Sequence, residues 1–291
     1  MSRVLLVGGT GFIGKRVAKV LHAAGISTRV FDLGPALERA EQGPDLECVA
    51  GDARDIGAVI SAAEGCAGIV HLAGLMTVDC AKDPPRAIAV NVQGSLNVFE
   101  AARIHSLPVA YLSTAGVFGP DSAENPHPMT IYGVSKLAVE GIARVYAADH
   151  DVPSLGLRPY IVYGPGISSG IAAGPSIALA AALRHEAAVI RFSGRVGFVH
   201  VDDVARMLVA GVTGTEPGTA ILTMAGDTRE MADFVTELSR QSGWNEFQVE
   251  GPPLRIPADL TSSPVPAWLG PQPATSIKEG IRLSLDEMRG Q

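Results

Sequence analysis

The sequence predicts an α/β fold, a doubly wound parallel sheet followed by a smaller C-terminal region, and three observations carry that expectation. Short β-branched runs alternate with longer helical patterns through the first two-thirds of the chain, as βαβ units do. The first apolar run, Val4 to Val7, passes directly into a glycine turn and then a helical pattern. A chain of 291 residues with 47% hydrophobic content is long and apolar enough to bury a sizeable core, as one large α/β domain or one main domain with a smaller partner.

Taken in order, strands are expected at Val4 to Val7, Thr28 to Phe31, Leu46 to Ala50, Gly68 to His71, Val109 to Leu112 and Ser154 to Leu157. Helices are expected near 12–24, 55–64, 86–105 and 131–149, the last two with apolar residues on more than one face. After Arg158 the segment PYIVYGPGISSGIAAGPS breaks the alternation with glycine, proline and serine, and substrate-side structure is expected there. A strand at Phe198 to Val201 and a helix opened by Asp202 or Asp203 are expected to return the chain to the sheet, with a last strand near Ala220 to Met224. Helices near 228–242 and from about Ser276 flank the proline-rich segment Pro252 to Pro273. The implied division is a dinucleotide-binding domain at 1–164, rejoined by 196–226, and a substrate-binding region at 165–195 and 227–291.

Composition excludes several classes. The net charge of −7 comes from interspersed acids, and no Lys/Arg block tracks a phosphate backbone, so nucleic acid is not an expected partner. Cys48, Cys66 and Cys80 have neither staple nor metal spacing; they read as buried small hydrophobes in a reducing compartment, with no metal site. Val4 to Val7 is too short for a signal-peptide core. The stretch Ile171 to Leu183 holds Gly174 and Pro175 and falls short of the roughly 20 apolar residues of a membrane span. A soluble cytoplasmic protein is expected.

The strongest motif is GGTGFIG at residues 8–14, between a strand and a helix. Gly8 permits the tight turn, Gly11 lets backbone approach a pyrophosphate, and Gly14 lets helix pack on strand; N–H groups at the helix start then hold phosphate charge. Asp32 ends the second expected strand about 20 residues on, where a carboxylate accepts from ribose hydroxyls and repels a 2′-phosphate. Leu33 and Gly34 follow it, not an arginine, so the expected cofactor is NAD on a Rossmann-type sheet. Asp52 in GDARD and the turn His71-Leu72-Ala73-Gly74 fall at carboxyl ends of strands, the ligand edge of such a sheet. His71 itself reads as a packed histidine.

Tyr132 and Lys136 are four apart in IYGVSKLAVEG and share a helix face, so an ammonium stands near a phenol that otherwise titrates near pH 10. A cation there favours a phenolate general base. The order of GGTGFIG, Asp32, GDARD, HLAG, NVQGSLNVFEAA, YLSTAGVFG, YGVSK, LRPYIVYGPG and RVGFVHVDDVA resembles the extended short-chain dehydrogenases/reductases of the NAD-dependent epimerase/dehydratase branch, over nearly the whole chain.

The resemblance implies that Tyr132 is the catalytic acid/base, that Lys136 holds the nicotinamide ribose and lowers the Tyr132 pKa, and that Thr114 hydrogen-bonds the reacting hydroxyl, with Ser113 as second choice. It implies cofactor contacts from Gly8, Gly11, Phe12, Ile13, Gly14, Asp32, Asp52, Ala53, Leu72, Ala73, Gly74 and Asn91, and a substrate face including Met76, Tyr160, Ile161 and Arg195. Departures bear on the reaction. Ala115-Gly116 follow Thr114 where 4,6-dehydratases carry an Asp-Glu pair, which disfavours dehydration. Ile161 and Met76 stand where UDP-sugar epimerases often place asparagine and lysine, while Arg195 matches an arginine that grips the nucleotide phosphate in those enzymes.

Three functions follow: a nucleotide-sugar epimerase, an NAD-dependent dehydrogenase of a free sugar, sugar acid or apolar hydroxy compound, and a catalytically silent NAD-binding sensor. The small-residue stretch Gly166 to Ala182 has few groups for a diphosphate and favours the second. A homodimer through helices 86–105 and 131–149 is implied by the resemblance and their apolar content.

Overall fold

The first strand sets the centre of the fold. In β1 (Arg3–Val7), Val4, Leu5, Leu6 and Val7 are all buried, which happens only when both faces of a strand are covered. The computed structural model describes residues 2–39, 46–167, 170–214 and 217–290, apart from the side chain of residue 171; residues 168 and 169 of the small-residue stretch thus lie outside it.

After β1 come α1 (Phe12–Ala23), β2 (Ser27–Asp32), α2 (Gly34–Glu38), β3 (Leu46–Ala50), α3 (Ile56–Ala63), β4 (Gly68–His71), α4 (Thr77–Lys82) and α5 (Pro84–Ile88). A π turn, Ala89–Gln93, joins α5 to α6 (Gly94–His105), followed by β5 (Val109–Leu112), α7 (Ile131–His150), β6 (Ser154–Pro159) and β7 (Ile161–Tyr163). The remainder is α8 (Gly174–Arg184), β8 (Ala188–Ile190), β9 (Arg195–His200), α9 (Val201–Thr213), β10 (Ala220–Met224), β11 (Asp227–Glu230), α10 (Met231–Ser242), β12 (Phe247–Val249) and α11 (Ile277–Arg289).

The main sheet is fully parallel in the order β10-β6-β5-β4-β1-β2-β3. Strand alternation divides its core. Val4 and Leu6 face a layer that includes Val17 and Leu21 of α1 and Val204 and Leu208 of α9, while Leu5 and Val7 face Val59 of α3, Phe99 of α6 and Val139 of α7. The chain leaves β1 toward β2 on one side and lies beside β4 on the other, so a crevice opens at the carboxyl ends of β1 and β4.

The expected strands and helices of the first two-thirds are present, with the 86–105 helix divided by the π turn. Later elements differ from expectation. β9 begins at Arg195 and does not rejoin the main sheet; it pairs parallel to β7 and antiparallel to β11, and only α9 and β10 return. α9 is capped by the His200 side chain, which accepts from Asp202 N, so Asp202 and Asp203 occupy its first turn, where carboxylates suit the helix dipole. The helix expected from 228 starts at Met231, because Asp227–Glu230 is drawn out as β11. The small-residue stretch contains most of α8, and β8 pairs with β12.

The proline-rich segment runs as a strap past the β10 edge: Ser263 N donates to Thr223 O, and the hydroxyls of Ser263 and Ser262 accept from Thr223 N and Ala225 N. Arg16 of α1, nearly buried, makes a bidentate pair with Glu287 of α11 at 2.8 and 2.7 Å, and so ties the last helix to the helix that follows the glycine turn. No described helix is long and apolar enough to cross a membrane. Of the cysteines only Cys80 is buried; Cys66 is half-buried and Cys48 exposed, because β3 is an edge strand.

Gly197 in β9 marks the tightest crossing, where a Cβ would stand 1.8 Å from Ala225 O. Gly197→Ala is therefore expected to lower stability by about 3 kcal/mol, since neither backbone can yield, and urea unfolding measures it.

Candidate active site

The glycine turn is built by two close approaches and one opening. Gly8 has φ +81°, and a Cβ there would lie 2.5 Å from Ala73 N; a Cβ on Gly14 would lie 2.4 Å from Gly9 O. On Gly11 it would meet only Gly8 O, at 3.5 Å, so that backbone stands open. Gly11 N-caps α1 without a side chain and no acid occupies the first turn, which leaves the N–H groups of Phe12 and Ile13 at an uncapped positive helix end. This cradle fits a pyrophosphate.

Asp32 is already engaged. Its Oδ2 accepts from Thr10 N and Thr10 Oγ1 at 3.1 and 2.6 Å, and its Oδ1 from Leu33 N at 2.8 Å. It braces the glycine turn, and its four acceptor sites leave room for a ribose hydroxyl. Asp52 is gripped by Arg54, whose hydrogen bonds hold the carboxyl below its ordinary range. Ala53 packs under Gly94, and its carbonyl accepts from Asn97 Nδ2 at 2.9 Å.

Beyond β4, Leu72 N and Ala73 N both donate to Val7 O, and Gly74 lies so near that its Cβ would stand 3.6 Å from Lys136 Nζ. Asn91, expected at the cofactor, is buried behind this loop instead. Its Oδ1 accepts from Leu75 N at 2.7 Å, and its Nδ2 donates to Leu75 O and Ser135 Oγ. Its amide links loop to α7, and the π turn at residues 89–93 aims it there.

Thr130 caps α7, accepting from Gly133 N at 3.0 Å. A Cβ on Gly133 would fall 2.4 Å from Gly116 O, so the turn of α7 that carries Tyr132 rests directly on the loop that follows Thr114. Thr114 Oγ1 accepts from Gly116 N and keeps its own proton for another acceptor. Lys136 Nζ donates to Leu112 O at 2.8 Å and lies 5.8 Å from the Tyr132 ring centroid.

Electrostatics here run against expectation. Burial pushes the Tyr132 phenol well above its usual range, and burial brings Lys136 down to about 8. Desolvation, with the Cys80 thiol adding to it, sets the direction of the Tyr132 shift.

Of the five substrate-side residues, three lie buried and two are exposed. Ser113 is buried and donates to Glu140 Oε1 at 2.5 Å, facing away from Thr114's open side as strand alternation requires. Tyr160 is buried with its hydroxyl donated to Ile256 O, and Ile161 lies in the core, so the strap covers the edge these two were expected to present. Met76 is exposed at the start of α4. Arg195 is exposed and pairs with no acid among the described residues. Glu140 and Arg158, which the motif reading passed over, form a buried ion pair beside Ser113; the stripe Tyr132, Lys136, Glu140 at intervals of four was the available signal. Among the described residues no group of three or more His, Cys, Asp and Glu is arranged to hold a metal ion.

Residues 4–220 match the NAD dependent epimerase/dehydratase family. The chain belongs to this family. Among relatives of this epimerase/dehydratase chain, dTDP-L-rhamnose 4-epimerase of Burkholderia thailandensis is 26% identical across 96% of this chain and 93% of that protein. Uronate dehydrogenase of Agrobacterium fabrum is 35% identical across 50% of this chain and 56% of that protein. For several such relatives the match spans about half their length. The solved UDP-glucose 4-epimerase of Thermus thermophilus, a complex with NAD, superposes with a TM-score of 0.80 at 26% identity, covering 99% of both chains.

His71 illustrates how deeply the site is built in. Ser95 Oγ donates to Asn91 O, so His71 Nε2–H donates to Ser95, and burial drives the imidazole down to about 3. Between pH 6.5 and 3 the unfolded chain binds a proton that the folded one refuses, so stability falls as pH drops through that window, by up to about 1.4 kcal/mol per unit. His71→Gln is expected to flatten that slope in acid-unfolding curves; an unchanged slope would place the histidine in water.

Proposed function

We propose that the protein is an NAD-dependent oxidoreductase that oxidises a secondary alcohol of a sugar or nucleotide-sugar by hydride transfer to NAD, acting as a nucleotide-sugar epimerase. The observation carrying this reading is the contact of Gly133 with Gly116 O, which gathers Thr114, Tyr132 and Lys136 at the carboxyl end of β5. Family membership supports it, as does the likeness to NAD-bound and epimerase relatives.

The glycine turn would hold the pyrophosphate, Asp32 the adenosine ribose, Asp52 and Ala53 the adenine edge, and Leu72 to Gly74 with Lys136 the nicotinamide half. When bound, NAD supplies the hydride acceptor and a positive ring that favours the phenolate. Tyr132 Oη takes the proton of the reacting hydroxyl, and Thr114 Oγ1 donates to the same oxygen. Lys136 has three donors; one is fixed by Leu112 O, and the other two serve the ribose. An inversion would require the hydride to come back from the bound cofactor to the other face of the carbon, while Tyr132 Oη returns its proton to the oxygen. In this reading 1–164 and 196–226 bind the cofactor, while 165–195 and 227–291 bind substrate.

A second reading, a dehydrogenase of a free sugar, sugar acid or other small alcohol, is favoured by one observation. Ile161 and the Tyr160 hydroxyl are withdrawn into the protein and Met76 is apolar, so these positions offer nothing to a diphosphate and leave Arg195 alone. The uronate dehydrogenase relative agrees with it. We place the protein in the cytoplasm on its unpaired cysteines.

Releasing the bound nucleotide by denaturation, then following the NADH band with a panel of UDP-sugars and free sugars, separates the readings. Inversion of a UDP-sugar without net NADH supports the epimerase; NADH accumulating on a free alcohol establishes the dehydrogenase. In either case Tyr132→Phe is expected to lose about 10²- to 10⁴-fold in kcat with NAD affinity retained. Full activity in that variant would remove Tyr132 from the chemistry.

A homodimer is part of the proposal: Leu96 and Ile104 of α6 and Val134 and Val145 of α7 are exposed apolar side chains on two long neighbouring helices. Sedimentation is expected to give a dimer for the native chain and a monomer for Leu96→Glu/Val145→Glu. A native monomer at micromolar concentration would refute it.

A further inference from the structure

We infer that Glu140 is a positioning residue, a clamp that sets the register of α7 against the end of β5 and so the placement of Tyr132 relative to Thr114. The inference rests on the oxidoreductase reading above. Glu140 is completely buried, and its bonds go to two different parts of the site's frame, Ser113 and Arg158. Oε1 accepts from Ser113 Oγ at 2.5 Å and from Arg158 Nε at 2.7 Å; Oε2 accepts from Arg158 Nη2 at 2.5 Å. Ser113 immediately precedes Thr114. Arg158 lies near the end of β6, and its guanidinium stacks over the Phe118 ring at 5.1 Å, on the loop that leaves Thr114.

The spacing turns this cluster into a ruler. Tyr132, Lys136 and Glu140 follow one another at intervals of four along one face of α7, and the helix rise puts Glu140 about 12 Å from Tyr132 along the axis. Lys136 is fastened to Leu112 O and Glu140 to Ser113 Oγ, so consecutive residues at the end of β5 are bonded to consecutive turns of α7. Two residues beyond Thr114, Gly116 O then meets the first turn of α7, where Gly133 rests on it. Slippage of the helix would break both bonds.

Stability alone is a poor reason for this arrangement. Removing two charges from water is expensive, and well-packed apolar residues of equal volume often serve as well as a buried pair. Glu140 does not act by charging Lys136 either: burial and Cys80 govern that ammonium, and the Glu140 carboxylate is matched by Arg158. What apolar residues could not supply is direction, two hydrogen bonds that fix where Ser113 and α7 stand.

The test compares Glu140→Met/Arg158→Met, which removes the clamp while keeping volume, with the native chain. Two readouts are used. In the NAD-loaded protein, the Tyr132 titration is isolated by subtracting the phenolate absorbance of Tyr132→Phe; it needs no substrate, so it reads even if every alcohol offered proves inert and the functional reading fails. The second is kcat and KM on whichever alcohol the native chain turns over. With the clamp gone, the Tyr132 midpoint is expected to rise by about one unit and kcat to fall about ten- to a hundredfold at unchanged KM, with a thermal midpoint near that of the native chain. A folded double variant with native titration and native kcat overturns the inference. Ser113→Ala, which removes a single hydroxyl, covers the case in which the double variant does not fold. It is expected to move the titration in the same direction by a smaller amount, and a native value there overturns the inference equally.

Discussion

Where β1 ends, three strands are stitched together by backbone alone. Val7 O accepts from Leu72 N and Ala73 N, while Gly8 N donates to Phe31 O at 2.9 Å. Because these bonds use up the end of β1, the chain must turn away at once, and Gly8 at φ +81° is the residue that permits it with Ala73 N close by. The level ends of β1, β2 and β4 define the crevice. Asp32 comes from one neighbour and Leu72 to Gly74 from the other, so both sides of that crevice are placed by the same parallel register.

The chemistry on the far side of that crevice is governed by burial more than by charge. Burial lowers Lys136 and His71 and raises Tyr132, and all three shifts favour neutral groups. A phenol in such a place becomes a base only when positive charge is brought to it. In the proposed role as a base, the proton-accepting state of Tyr132 is thereby coupled to occupation of the neighbouring cradle.

Sequence legibility followed the length scale of the signal. β1, the glycine turn and α1 were readable because an apolar run, fixed glycines and a helical period adjoin one another, and Tyr132 with Lys136 because spacing of four is a property of the helix itself. The strands β7, β8, β9, β11 and β12 were less so: four of the five have three or four residues, and their partners lie far along the chain, so no local period announces them. Nothing in AVNVQ signals a π turn, yet that turn is why Asn91 points at Leu75 and not outward. Ser113 was misplaced for a simple reason: next to Thr114 in sequence, it lies on the opposite side of an extended backbone. Tyr160 and Ile161 were hidden by the strap, whose register depends on the hydroxyls of Ser262 and Ser263 and not on periodicity.

That strap separates selectivity from chemistry in this fold. By pairing Ser263 with Thr223 it protects the open edge of β10, and by accepting from Tyr160 it covers the β6–β7 junction. The bonds that hold it in place run to β10, Tyr160, Ser193 and Arg206, whereas Lys136 is fastened to Leu112 O and the first turn of α7 rests on the loop after β5. In the proposed function, substitutions in Pro252 to Pro273 would therefore reshape the substrate face without disturbing Thr114, Tyr132 and Lys136. A single framework can in this way serve epimerases and dehydrogenases alike, the reaction being set by what the strap and the loops beside it leave exposed.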